Sequence, residues 1–87
     1  MTPIVPPSNA LTLNLLPVGR QATVLSMASS EDIYNRLAAL GINVGRPITM
    51  LRRALGRGPV HVRVGTTEIM LRVEQARTIQ ISPPNAP

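Results

Sequence analysis

Three stretches in the second half of the chain alternate between apolar and polar residues and limit the fold more sharply than anything else in the sequence. "VHVRV" places Val60, Val62 and Val64 on one face and His61 and Arg63 on the other. "EIMLRV" sets Ile69, Leu71 and Val73 against Met70 and Arg72. "TIQI" sets Ile79 and Ile81 against Thr78 and Gln80. A period of two belongs to strands with one face buried. The links are short: "ALGRG" before Pro59, "GTT" after Val64, and "EQAR", which can form a single helical turn.

Further strands are predicted upstream. "RQATVLSM" is rich in β-formers and predicts a strand over Arg20–Met27, and "PITMLRR" predicts another over Pro47–Arg53. In "LTLNLLPVG", Leu11, Leu13 and Leu15 alternate with polar residues before a turn at Leu16–Gly19. The alternate residues of Leu11–Leu16 cannot all face inward. This segment is either an extra strand or a surface for self-association.

One helix interrupts the strands. Ser29 stands three residues before Asp32, which resembles a capping box, and the acidic Glu31 and Asp32 fall where the helix dipole favours negative charge. Ile33, Leu37 and Leu40 recur at helical spacing with Ala38 beside them, and Arg36 lies late in the helix. In "LAALGINVGRPI" the helix gives way abruptly to a strand. Gly41 follows the last helical residue, where a left-handed backbone is needed, Gly45 supplies a permissive turn, and Pro47 keeps the helix from resuming. The reversal aims Ile48 inward.

Five or six short strands and one helix in 87 residues point to a small, strongly curved antiparallel barrel, because closure protects faces and edges that an open sheet leaves bare. With no cysteine there is no disulfide framework, so aliphatic packing must hold the domain together; 44% of residues are hydrophobic and Tyr34 is the single aromatic. The domain is expected over residues 11–82, between proline-rich flexible tails at 1–10 and 83–87. The N-terminal segment lacks a basic n-region, and no apolar run approaches the ~20 residues of a membrane span, so a cytoplasmic protein that reaches a membrane only through a partner is expected.

No catalytic constellation is evident. Glu31 and Asp32 are explained by capping, His61 by a solvated strand face, and Ser29 and Ser30 lack a partner base. "GRGP" lacks the Lys-Ser/Thr of a phosphate loop. The expectation is a non-enzyme without cofactor or metal site. The net charge is +5 and every basic residue is arginine, which suits an acidic or phosphate-bearing partner or a protein interface, though biased composition produces the same balance. Nucleic acid is a poor fit, since single-strand binders stack bases on aromatics at ~1–3 kcal/mol each and only Tyr34 is present. A proline-peptide groove needs the same aromatic walls. Arg52, Arg53 and Arg57 cluster around a hairpin with Leu55 at its tip, either as a solvated strand end or as an apolar anchor ringed by arginines.

"RLAALGINVGRPI" (Arg36–Ile48), "GPVHVRVG" (Gly58–Gly65), "IMLR" and "EQARTIQI" form an ordered series, with Ile69, Leu71, Arg72, Ala76, Ile79 and Ile81 at its later positions. Over residues 13–81 this series resembles the ferrous iron transport protein A family, FeoA. Two features depart from that family's pattern: the basic loop "ALGRG" with Arg57, and Val44 before the second glycine. The resemblance implies an SH3-like barrel. It also implies a partner, the FeoB-type membrane ferrous iron transporter with its cytosolic GTP-binding domain. Iron- and manganese-dependent repressors carry the same barrel after other segments, and a stand-alone accessory module is expected here. The alternatives are a nucleic-acid-binding barrel and an oligomeric or metal-sensing module.

Overall fold

The structure, a computed structural model, describes residues 11–27, 30–54, 56 and 58–83. Along the chain come β1 (Leu11–Thr12), a 3-10 turn (Leu13–Leu15), β2 (Gln21–Met27), α1 (Glu31–Ala39), β3 (Pro47–Arg53), β4 (Val60–Val64), β5 (Thr67–Leu71), α2 (Val73–Ala76) and β6 (Ile79–Ile81). The six strands form one antiparallel sheet in the order β1-β6-β2-β3-β4-β5. This is the mainly β, SH3-like barrel architecture with the expected short α-helix, α1, and one further helical turn, α2.

Two single-residue bulges curl the sheet. In β2 the register to β6 shifts between Val24 and Ser26, leaving Leu25 as the extra residue. In β3 the register to β4 shifts between Met50 and Arg52, leaving Leu51 extra. A bulge bends its strand and sharpens its twist. Consequently β2 pairs through Gln21–Thr23 with β3 and through Val24–Met27 with β6, serving both halves of the sheet.

The predicted alternation holds at β4, where Val60, Val62 and Val64 are buried, and at β6, where Ile79 and Ile81 are fully buried. Elsewhere it yields to other geometry. β5 ends at Leu71, and Val73 is buried as the first residue of α2 rather than as a strand residue. The leucines after β1 do not extend that strand. Leu13 and Leu16 are both buried while Leu15 is 53% exposed, because a 3-10 turn brings residues three apart onto one side.

α1 is capped by Ser30, whose hydroxyl accepts from the Ile33 amide at 3.4 Å. The cap is thus one residue later than expected; Ser29 lies outside the described residues, and Asp32 is a first-turn residue rather than a box partner. Only Leu37 of the helix is fully buried; Ile33 packs partly against the core, and Leu40, expected inside, is 40% exposed. Ile42 takes the inward place instead. The reason lies in the helix end. Gly41, at φ +98°, donates to the Ala38 carbonyl at 2.9 Å and Ile42 donates to the Leu37 carbonyl at 3.0 Å. This bond pair is a Schellman motif, which brings Ile42 beside Leu37.

The chain then turns again through Asn43–Arg46, closed by the Arg46 amide on the Asn43 carbonyl at 3.1 Å, with Gly45 at φ +90° in the third position. That is the position where a type II turn demands a positive φ. Pro47 opens β3 and Ile48 is fully buried, so the switch in "LAALGINVGRPI" is two consecutive glycine-dependent turns that return the chain to the sheet.

Candidate functional site

Strand register brings together what the sequence keeps apart. Across β3, β4 and β5, Arg52 stands opposite His61 and His61 opposite Met70; one row away, Thr49, Arg63 and Glu68 are aligned in the same manner. The inward residues between them, such as Val62 and Ile69, are buried, so these polar side chains share the outer face.

Beside them opens a groove of about 390 Å³ lined by Arg52, Arg53, Ala54, Pro59, His61 and Met70. Met70 is 65% exposed, an apolar side chain held out in solvent on this wall. His61 Nε2 lies 3.0 Å from Glu68 Oε1, so the one carboxylate of the face is held against the imidazole. Arg53 follows the bulge at Leu51 and lies opposite buried Val60, yet it is exposed, and its Nη1 donates to the Leu16 carbonyl at 3.2 Å. That bond ties the rim of the groove to the turn after β1.

Of the residues singled out from sequence, Arg52 and Arg53 come together in this groove. Leu55 and Arg57 lie outside the described residues. Gly41, Gly45 and Pro47 serve the turns between α1 and β3 and are not part of the groove. Sequence reasoning left His61 as a solvated strand residue and did not single out Glu68 or Met70. The alternation that carried the signal was visible, but the cross-strand register was not. Chemically, the groove offers guanidinium donors, an imidazole and an apolar thioether, a set suited to holding a carboxylate beside an apolar group. Among the described residues no group of three or more His, Asp or Glu side chains converges to hold a metal ion. No helix among them is long and apolar enough to cross a membrane.

Comparison with known proteins agrees with this architecture. The FeoA domain family matches residues 11–83. A Campylobacter jejuni protein bearing the provisional name Fe(2+) transport protein A is 25% identical over 72 residues, which is 83% of this chain and 97% of that one. The FeoA of Stenotrophomonas maltophilia, solved in complex with zinc and described as a prokaryotic SH3 domain protein, is 29% identical with a TM-score of 0.70, covering 83% of this chain and 89% of its own. The solution structure of FeoA from Chlorobium tepidum is 27% identical with a TM-score of 0.77, covering 84% and 70%. The alternating strands, the paired glycine turns and the bulged barrel are thus those of a known lineage: the chain belongs to the FeoA domain family, which is associated with ferrous iron transport.

Proposed function

We propose that this protein is a non-enzymatic accessory module of ferrous iron uptake, acting in the cytoplasm by docking on the cytosolic GTP-binding part of a FeoB-type membrane ferrous iron transporter. The observation that carries the reading is the FeoA domain match over residues 11–83 on a barrel that carries an arginine-flanked groove. In this reading iron is the cargo of the partner. Docking would act by favouring one conformation of the nucleotide-binding domain over another, which requires only that the two conformations bind the barrel unequally. The acting unit is residues 11–82. Contact is assigned to Arg52 and Arg53 together with Leu55 and Arg57, which follow them in the sequence.

The test is co-purification of the transporter from solubilised membranes with the tagged protein. Arg52→Glu with Arg53→Glu, and separately Leu55→Asp with Arg57→Glu, are expected to lower recovery while thermal melts show a folded barrel. Recovery unchanged by both double variants would remove this surface from the account, and no recovery with the unaltered protein would remove the partner.

A further inference from the structure

We propose that β5 is a receiving edge: an extended acidic segment of the partner adds to it as a seventh strand, its outward carboxylates lying over the cationic face and one side chain seated in the groove against Met70. The proposal rests on the docking reading above and names the chemistry of what docks.

Sheet order leaves β1 and β5 as the two edges. β1 has two residues and is too short to template a partner, whereas β5 has five. The β4–β5 hairpin closes through Gly65 and Thr66 with Val64 opposite Thr67, and Gly65 at φ +62° fits the first position of a type II′ turn. In a two-residue hairpin the closing pair exchanges both hydrogen bonds, and bonded and non-bonded pairs then alternate. Ile69 and Leu71 therefore bond across to Val62 and Val60, while Glu68 and Met70 fall in non-bonded pairs with Arg63 and His61. Their backbone N–H and C=O groups point off the sheet. Among the described residues no ladder runs along that side.

Natural edges are commonly blunted by lysine, proline or a bulge. β5, "TEIML", has none of these, and its pairing to β4 is regular throughout. What it does present decides the occupant. On the outer face Arg52 and Arg63 are exposed, and the lone acid, Glu68, is engaged by His61. A strand added at the usual ~4.8 Å spacing puts every second side chain on this face, with Arg63 of β4 two strands away and Arg52 of β3 three, so the long arginine side chains must reach along the face to meet it. Acidic side chains fit there and basic ones do not. On the opposite face the added strand continues the row of buried Ile69 and Leu71, so its alternate residues are apolar. The recognised segment is an amphipathic acidic strand, bound by main-chain bonds and selected by its side chains.

The probe is the acetylated heptapeptide Glu-Val-Glu-Leu-Glu-Val-Glu, followed by amide NMR and hydrogen exchange on the full chain. Binding is expected to protect the Glu68 and Met70 amides and to weaken as salt is raised. N-methylation along the peptide edge that pairs is expected to cost at least about tenfold in affinity, while methylation of the opposite edge leaves it unchanged. Met70→Pro, which removes an outward N–H without touching the bonds to β4, should abolish binding; the methylated peptides make the same test should that variant fail to fold. The lysine version of the peptide should not bind.

Absence of binding at millimolar peptide, equal binding of the lysine version, or binding indifferent to N-methylation would overturn the proposal. So would tighter, competing binding of single-stranded oligothymidylate, or a doubled mass without peptide that protects the same amides and marks a second copy as occupant. If the peptide fails while the transporter still co-purifies, strand addition falls alone. If the peptide binds and the transporter never co-purifies, the docking reading falls.

Discussion

Gly41 adopts φ +98° with nothing near the position of a missing Cβ. Its requirement is therefore conformational rather than steric. Gly41→Ala should destabilise the protein by about 1–2 kcal/mol, the left-handed penalty of an L-residue, and Gly41→Asn by less, measured as urea midpoints. Leu37 differs in kind. It is the one fully buried side chain of α1, and truncation to alanine should cost about 2–5 kcal/mol, read from the same unfolding curves. His61 and Glu68 mark the other extreme. Their side chains are 28% and 57% exposed, so Glu68→Gln should change stability by less than about 1 kcal/mol. A loss of several kcal/mol there would mean that the pair organises the sheet rather than only its surface.

Among the elements, the bulges separate what was legible in the sequence from what was not. β4 and β6 were readable because unbulged strands keep their period. β2 and β3 were readable as strands, but nothing in "TVLSM" or "TMLRR" marks Leu25 or Leu51 as the extra residue. A bulge is defined by the partner strand, which local patterning does not contain. The same gap hid the site. Arg52 and Arg53 stood out as neighbours in sequence, whereas His61, Glu68 and Met70 met them only through register. In the Leu-rich opening, a spacing of three between Leu13 and Leu16 competed with an alternation through Leu15, and burial of the former pair decided the outcome. Deleting Leu51 should keep Arg52 opposite His61 and Arg53 opposite Val60 but straighten β3, lowering the midpoint of the thermal transition. Leu51→Thr keeps the residue count and should leave a cooperative melt at a modestly lower temperature.

At the level of the whole molecule, a chain of 87 residues carries only about 4–13 kcal/mol of stability, so Leu37→Ala alone can consume a large share of it. Protection should be uneven. β2 is paired on both sides, whereas α1 leans on the core mainly through Leu37 and β1 holds only two registered pairs. Native-state hydrogen exchange should accordingly find the β2 amides opening only with global unfolding and those of α1 and β1 opening well before. Amides of α1 that exchange as slowly as those of β2 would show that the helix anchors the barrel more firmly than its packing indicates.

The doubly paired β2 also has a consequence during synthesis. Val24 finds its partner at Ile81, so the strand emerges from the ribosome long before half of its neighbours exist. A nascent chain paused anywhere before Ile79 exposes the side of β2 that β6 will cover, and closing so wide a span of sequence is slow compared with forming a local hairpin. Completion of this small barrel is thus timed by its last strand.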